Sequence, residues 1–240
     1  MLNTVIFDLD GTLLPMDMEV FLNKYFTELS FKFKDYFNPK ELTEHIWAST
    51  GCMIKNKNPR ITNEEAFFED FYKRVVHKPE IISPLFEDFY INDFKRLASA
   101  TRKEELMQNT VKILKEKGYR LVIATNPIFP KLAINQRVEW AGFSIDEFDF
   151  ITSFEKMHFC KPHLEFYQEV LDNIDKKPQE CIMVGNDVEE DMVAKKLGLK
   201  TYLLEDCLIS RGNNREEVDY SGSYMDFNSF VVALPSLKEV

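Results

Sequence analysis

The amino-acid sequence predicts an α/β fold: a doubly wound parallel sheet interrupted by an all-helical insert. Three observations lead there. Short apolar runs such as Val5-Ile6-Phe7, Leu121-Val122-Ile123 and Ile182-Met183-Val184 alternate with amphipathic stretches of ten or more residues, the pattern of strands covered by helices on both faces. Each of these runs gives way at its end to polar residues or carboxylates. Between the first and second runs, from Pro15 to about Arg102, apolar residues recur at helical spacing instead, as in Phe67, Phe68, Phe71, Tyr72, Val75 and Val76.

Taken in order, Thr4-Val5-Ile6-Phe7 is rich in β-branched and aromatic residues and reads as a buried strand that stops at Asp8-Leu9-Asp10-Gly11. Helices are expected in the insert over 18–29, 40–49, 63–76 and 86–98. Asn63 is the expected cap of the third, with Glu64 and Glu65 in its first turn, and Asn58-Pro59 and Ser83-Pro84 are expected breaks. The crowd of Phe21, Tyr25, Phe26, Phe31, Phe33, Tyr36, Phe37 and Trp47 is expected mostly in the insert's core. Lys55 and Lys57 in a loop at 51–59, and Arg60 just after it, could reach a substrate anion, but a solvated loop is the expected reading. Alternation resumes with a helix at 105–117 stopped by Gly118, a strand at 119–124, a helix at 131–140 and a short strand at 148–152. A helix at 164–174, a strand at 181–184, a helix at 189–197 and a strand at 200–204 follow, and 211–217 reads as a polar surface loop. The core is thus 1–14 with 103–240, and the helical unit is 15–102.

Composition narrows the function. The 240 residues are 45% hydrophobic with a formal net charge of −10, a pI near 5.0 and a mean hydropathy of −0.29. A duplex phosphate backbone or an anionic membrane surface would be repelled, so neither nucleic acid nor membrane is an expected partner. Residues 15–105 hold 16 acids against 14 bases, so most of the excess negative charge lies outside the insert. Cys52, Cys160, Cys181 and Cys207 are far apart with no C-x-x-C pair, which argues against a zinc site or a disulfide frame. No apolar stretch is long enough to span a bilayer and no leader pattern precedes the first strand, so a soluble cytoplasmic protein is expected, a monomer by default.

The chemistry should gather beyond the carboxyl ends of the strands. Asp8 and Asp10, two apart, project to one side of an extended segment, and such a concentration of charge calls for a cation or a proton; a divalent metal is the economical answer. After the 119–124 strand, the hydroxyl of Thr125 and the backbone near Asn126 could bind phosphate oxygens. Lys161-Pro162 precedes an amphipathic helix, where an ammonium could neutralise both a carboxylate and a phosphate. Val184-Gly185-Asn186-Asp187 ends another strand in hard oxygen donors of the kind Mg²⁺ prefers, with Asp191 four residues beyond Asp187.

The string Asp8-Leu9-Asp10-Gly11-Thr12 resembles the first motif, D-x-D-G-T, of the haloacid dehalogenase superfamily of phosphatases and phosphotransferases. Thr125 resembles its second motif, Lys161-Pro162 its third, and Gly185-Asn186-Asp187 with Asp191 its fourth, with Asn186 standing where many members have Asp. The resemblance covers 1–14 and about 103–205; the insert is similar to the family's helical cap in location and helicity alone. It implies a Rossmann-like core under a helical cap and a Mg²⁺-dependent phosphatase acting on a small phosphomonoester. It further implies that Asp8 is the nucleophile that forms an aspartyl-phosphate and Asp10 the acid/base whose main-chain carbonyl also binds metal. Gly11, Thr12, Thr125, Asn126 and Lys161 would bind phosphate, and Asp191 would hold a metal-bound water. Asn186 and Asp187 are both open as the direct metal ligand, the charged Asp187 being the expected one. A phosphomutase or phosphonate hydrolase on the same scaffold is the nearest alternative. A dehalogenase, a phospho-acceptor signalling domain and a noncatalytic binding protein stand further off.

Overall fold

A computed structural model describes residues 1–212 and 218–238. Its centre is a six-stranded, all-parallel sheet: β1 (Thr4–Phe7), β2 (Arg120–Ile123), β3 (Phe150–Ile151), β4 (Cys181–Gly185), β5 (Lys200–Leu204) and β6 (Tyr220–Gly222), in the order β3-β2-β1-β4-β5-β6. The order reverses at β1, so the crevice at the carboxyl ends of β1, β2 and β4 is the place for a ligand. Register makes those ends level. Phe7 is opposite Ile123 on one side and Val184 on the other, and the ladder continues as Asp8 N–H donates to Val184 O (2.9 Å) and Ala124 N–H to Phe7 O (2.7 Å).

Every residue of β1 is buried, because alternate side chains enter different apolar layers. Val5 and Phe7, with Leu121, Ile123, Ile182 and Val184, pack against the helices α5 (Glu105–Glu116) and α8 (Tyr224–Ala233). Ile6, Val122 and Met183 meet Phe166, Tyr167, Val170 and Leu171 of α7 (Leu164–Ile174) on the other face. The remaining core helix, α6 (Lys131–Trp140), follows the loop that leaves β2.

Between β1 and α5 the chain forms only helices: α1 (Met18–Lys32), α2 (Pro39–Lys55), α3 (Asn63–Arg74) and α4 (Pro79–Asp88), then a π turn, Phe89–Asp93, and a 3₁₀ stretch, Phe94–Ala100. They enclose an aromatic core of Phe21, Tyr25, Phe33, Phe37, Phe71, Phe86, Phe89 and Phe94. Phe31, Tyr36 and Trp47 are exposed. The two segments that join this unit to the sheet pair with each other, Met16 bridging to Thr101 and Arg102 N–H donating to Pro15 O (3.1 Å).

Several local expectations need correction. Ser83-Pro84 is not a break: the helix begins at Pro79, where a missing N–H costs nothing, and runs through Pro84 to Asp88 with the loss of one interior hydrogen bond. The fourth helix therefore starts well before residue 86, and 89–100 leaves α geometry. The cap of α3 is Thr62, whose hydroxyl accepts from Glu65 N–H while the Glu65 carboxylate accepts from Thr62 N–H. Asn63 is buried instead, and its amide donates to Pro127 O and Phe159 O (3.3 Å each). Gly51 does not end α2, which runs on to Lys55, and Lys57 pairs with Glu165 at 2.9 Å. The 189–197 helix is a turn followed by a 3₁₀ segment, Met192–Leu197. Of the expected loop at 211–217, positions 213–217 lie outside the described residues. Besides short 3₁₀ turns, the sequence reading had no counterpart for β6 or for α8, whose capping box of Ser223 and Asp226 and apolar Tyr224, Phe227 and Val231 are a legible helix signal. Among the described residues no helix is long and apolar enough to cross a membrane.

Candidate active site

Asp8 leaves the end of β1 at the centre of the level strand ends, and Lys161 reaches it from the loop before α7. The Lys161 ammonium is 1% exposed; it donates to Asp8 Oδ1 at 2.8 Å and to Asp191 Oδ1 at 2.6 Å. Asp191, wholly buried, is held in turn as its Oδ2 accepts from Asp187 N–H (3.0 Å). Gly185 makes this possible. A Cβ there would overlap the Asp191 carboxylate, so the last residue of β4 must be glycine for the acid to lie against the strand. Gly11 is constrained twice: its φ is +85°, and a Cβ would collide with the Asn186 amide.

Two carboxylates share one ammonium, and the electrostatics follow. Burial raises both Asp8 and Asp191 above the usual carboxylate range, with the Lys161 charge pulling the other way. Burial works against the Lys161 cation as well, but the charges of Asp191 and Asp8 outweigh it and hold the ammonium well above its ordinary value. The lysine therefore stays charged, and with both carboxylates ionised the trio carries one uncompensated negative charge.

Asp10 faces a partner that sequence reasoning missed. Arg137, 1% exposed on α6, donates from Nη1 to Asp10 Oδ2, and its guanidinium lies 4.6 Å from the centre of the Phe129 ring. Among the described residues, Arg137 Nη2 and Asp10 Oδ1 are buried without a hydrogen-bond partner. Burial raises the pKa of Asp10 in spite of the Arg137 and Lys161 charges. The signal was present: Ala133, Ile134, Arg137 and Val138 form the buried face of α6, and an arginine on such a face must meet an anion.

The other expected site residues divide. Thr12 is buried and its hydroxyl donates to Asn186 Oδ1 (3.0 Å), while Asn186 Nδ2 donates to Cys207 O (2.7 Å). Thr125 is buried at the end of β2, its carbonyl accepting from the Thr152 hydroxyl (2.7 Å). The Asn126 side chain braces its surroundings: Oδ1 accepts from Lys161 N–H and Nδ2 donates to Glu190 Oε2, each at 3.2 Å. Asp187 turns to other work. Its Oδ1 accepts from the N–H groups of Glu189 (3.0 Å) and Glu190 (2.9 Å), and Arg211 contacts both carboxylate oxygens at 2.9 and 2.8 Å.

Among the described residues no three His, Cys, Asp or Glu side chains form a ready cation cage. A Mg²⁺ ion nonetheless suits this donor set, since it is commonly held by one or two carboxylates together with water and substrate phosphate, and the trio's residual negative charge asks for a cation. Asp8 and the Asn186 amide oxygen are the donors to hand.

Residues 2–198 match the model of the haloacid dehalogenase-like hydrolase family. The chain belongs to that family. As a haloacid dehalogenase-like hydrolase it is an enzyme, and its Asp8, Lys161 and Asp191 meet at the strand ends where the family resemblance of the sequence lies. It is 25% identical over 201 residues to the pyrophosphatase PpaX of Bacillus cereus (strain Q1), covering 83% of this chain and 82% of that one. Among solved structures it resembles a HAD phosphatase from Thermococcus onnurineus, with a TM-score of 0.61 and 18% identity over 98% of this chain and 100% of the other. It also resembles a 2-haloacid dehalogenase from Pseudomonas syringae pv. Tomato DC3000, with a TM-score of 0.64 and 19% identity over 97% and 99%. At such identities the structural likeness establishes the hydrolase fold alone.

Proposed function

We propose that this hydrolase is a Mg²⁺-dependent phosphatase that removes phosphate from a small phosphomonoester through an aspartyl-phosphate on Asp8. The observation that carries the reading is the buried Lys161 ammonium between Asp8 and Asp191, because it keeps a nucleophilic carboxylate next to a fixed positive charge where a phosphoryl group would bind. The relative named as a pyrophosphatase supports phosphoryl chemistry.

The Asp8 carboxylate attacks phosphorus in line with the departing alkoxide. Lys161 and the donors at Thr12, Thr125 and the Gly11 and Asn126 backbone meet the charge on the phosphoryl oxygens. Asp10 gives its proton to the leaving oxygen and then takes one from the water that hydrolyses the acyl phosphate; its raised pKa favours the protonated form needed first. Asp8, the main-chain carbonyl of Asp10 and Asn186 would hold Mg²⁺, with Asp191 placed for a metal-bound water. Asp187 is the weaker candidate ligand, because Arg211 and two backbone N–H groups already engage its oxygens. When bound, the ion neutralises charge shared between Asp8 and the phosphate.

The helical unit 15–102 acts as a cap that excludes water from the site, turning about the paired segments at Met16 and Thr101. A cytoplasmic location, supported by four free thiols, and a monomeric state by default complete the reading. The test is phosphate release from a panel of small esters, with and without Mg²⁺, by the wild type and Asp8→Asn. Release that needs both the ion and Asp8 is expected; equal release by Asp8→Asn would overturn the assignment.

A further inference from the structure

The helical unit and the loop after β2 enclose a cavity of about 610 Å³ that the chemistry above does not use. Its walls are mainly rings, among them Tyr25, Phe26, Trp47, Phe68, Phe129 and Phe154. Four carboxylates, Glu64, Glu65, Glu87 and Glu155, also line it, and among the described residues no lysine, arginine or histidine does. The cavity adjoins the candidate active site, although Asp8, Asp10 and Lys161 are not in its walls. Ile128 and Phe129 follow Thr125 and Asn126 after Pro127, and the Phe129 ring lies against the Arg137 guanidinium that donates to Asp10. Asn63, the residue before Glu64, is bonded to the carbonyls of Pro127 and Phe159, one in the Asn126 loop and the other two residues before Lys161.

We propose that this cavity seats the leaving group of the substrate, and that the leaving group is an apolar or aromatic alcohol, uncharged or cationic; the inference rests on the phosphatase reading above. An apolar group entering a ring-lined space is released from water, whereas an anionic one must shed its hydration among carboxylates with no cation to receive it. The second phosphoryl group of pyrophosphate is such an anion. The relative named as a pyrophosphatase is therefore a poor guide to this chain's substrate. Burial raises the pKa of Glu64, and Glu155 and Glu65 lie near enough to raise it further, which is the field a positively charged substituent would relieve.

The experiment is kcat/KM in Mg²⁺ for ethyl, butyl, hexyl and 2-phenylethyl phosphate, glycerol phosphate and pyrophosphate. The alkyl esters have leaving groups of similar acidity, so differences among them report binding in the cavity. Each methylene buried is worth roughly three- to fourfold, so a rise of at least tenfold from ethyl to hexyl is expected, with 2-phenylethyl phosphate above glycerol phosphate and pyrophosphate last. Trp47→Glu, at a half-exposed position on the wall, should flatten the alkyl series and leave ethyl phosphate unchanged. A flat wild-type series, pyrophosphate as the best substrate, or a steep series untouched by Trp47→Glu overturns the inference while ethyl phosphate turnover keeps the phosphatase reading. Absence of phosphate release from every compound overturns both.

Discussion

Replacing Lys161 with methionine removes the ammonium and keeps most of the side chain's volume. Asp8 and Asp191 then remain as two buried carboxylates, one 8% exposed and the other 0%, with no cation between them. At an effective dielectric constant of about 20, each contact at 2.8 and 2.6 Å represents roughly 6 kcal/mol of attraction before desolvation is subtracted. Breaking one partner out of a buried ion pair costs about 3–5 kcal/mol in practice, which for a chain of this size lowers Tm by roughly 6–20 °C. The deficit also has a sign in pH. Without the lysine, burial acts unopposed, and the folded pKa values of the carboxylates, already above the unfolded ones, rise further. Ionised carboxylates are penalised in the fold, so the deficit is greatest at pH 8 and shrinks as pH falls towards 5 and both acids protonate. Calorimetry of wild type and Lys161→Met across that range, in chelating buffer, reads both features. Turnover should fall by about a hundredfold or more with the loss of a fixed charge at the phosphoryl group. A Tm within about 2 °C of wild type at pH 8, or a deficit that grows on acidification, would refute the reasoning.

Asp10→Asn should retain ester binding yet turn over more than about a hundredfold more slowly, the scale of lost acid–base catalysis, as single-turnover kinetics would reveal. Asn186→Asp adds a charge to the proposed ligand set and should lower the Mg²⁺ concentration for half-maximal activity, whereas Asp187→Asn should leave that value within about threefold and lower Tm by removing a partner of Arg211; the reverse pattern would transfer the ligand role to Asp187. Arg137→Met leaves Asp10 without its cation and should lower kcat with little change in KM, with partial recovery in Arg137→Lys; an unchanged kcat would show that the pair is structural only.

The sheet and the parts of the site carried by strand ends were legible because the chemistry coincides with local pattern. An apolar run that stops at Asp8 and another that stops at Gly185 each announce a strand end, and the spacing to Asp191 is short. Lys161 was visible only through the motif around it, since one lysine before a proline says little by itself. Arg137 escaped because its partner, Asp10, is 127 positions away and only tertiary packing brings them together. Asp187 illustrates the opposite limit: its place beside a strand end is legible, but that Arg211 and the following N–H groups engage its oxygens is not. Pro84 misled for a related reason, as a proline signals a break unless packing of Ile82 and Phe86 on the insert's core holds the helix through it.

The most direct measurement is acid-quench trapping of the enzyme during turnover of a phosphate-labelled ester in Mg²⁺, with mapping of the labelled peptide. A hydroxylamine-labile phosphate on the peptide that contains Asp8, absent from Asp8→Asn, is the expected result. Label on any other residue, or steady turnover by Asp8→Asn, would contradict it.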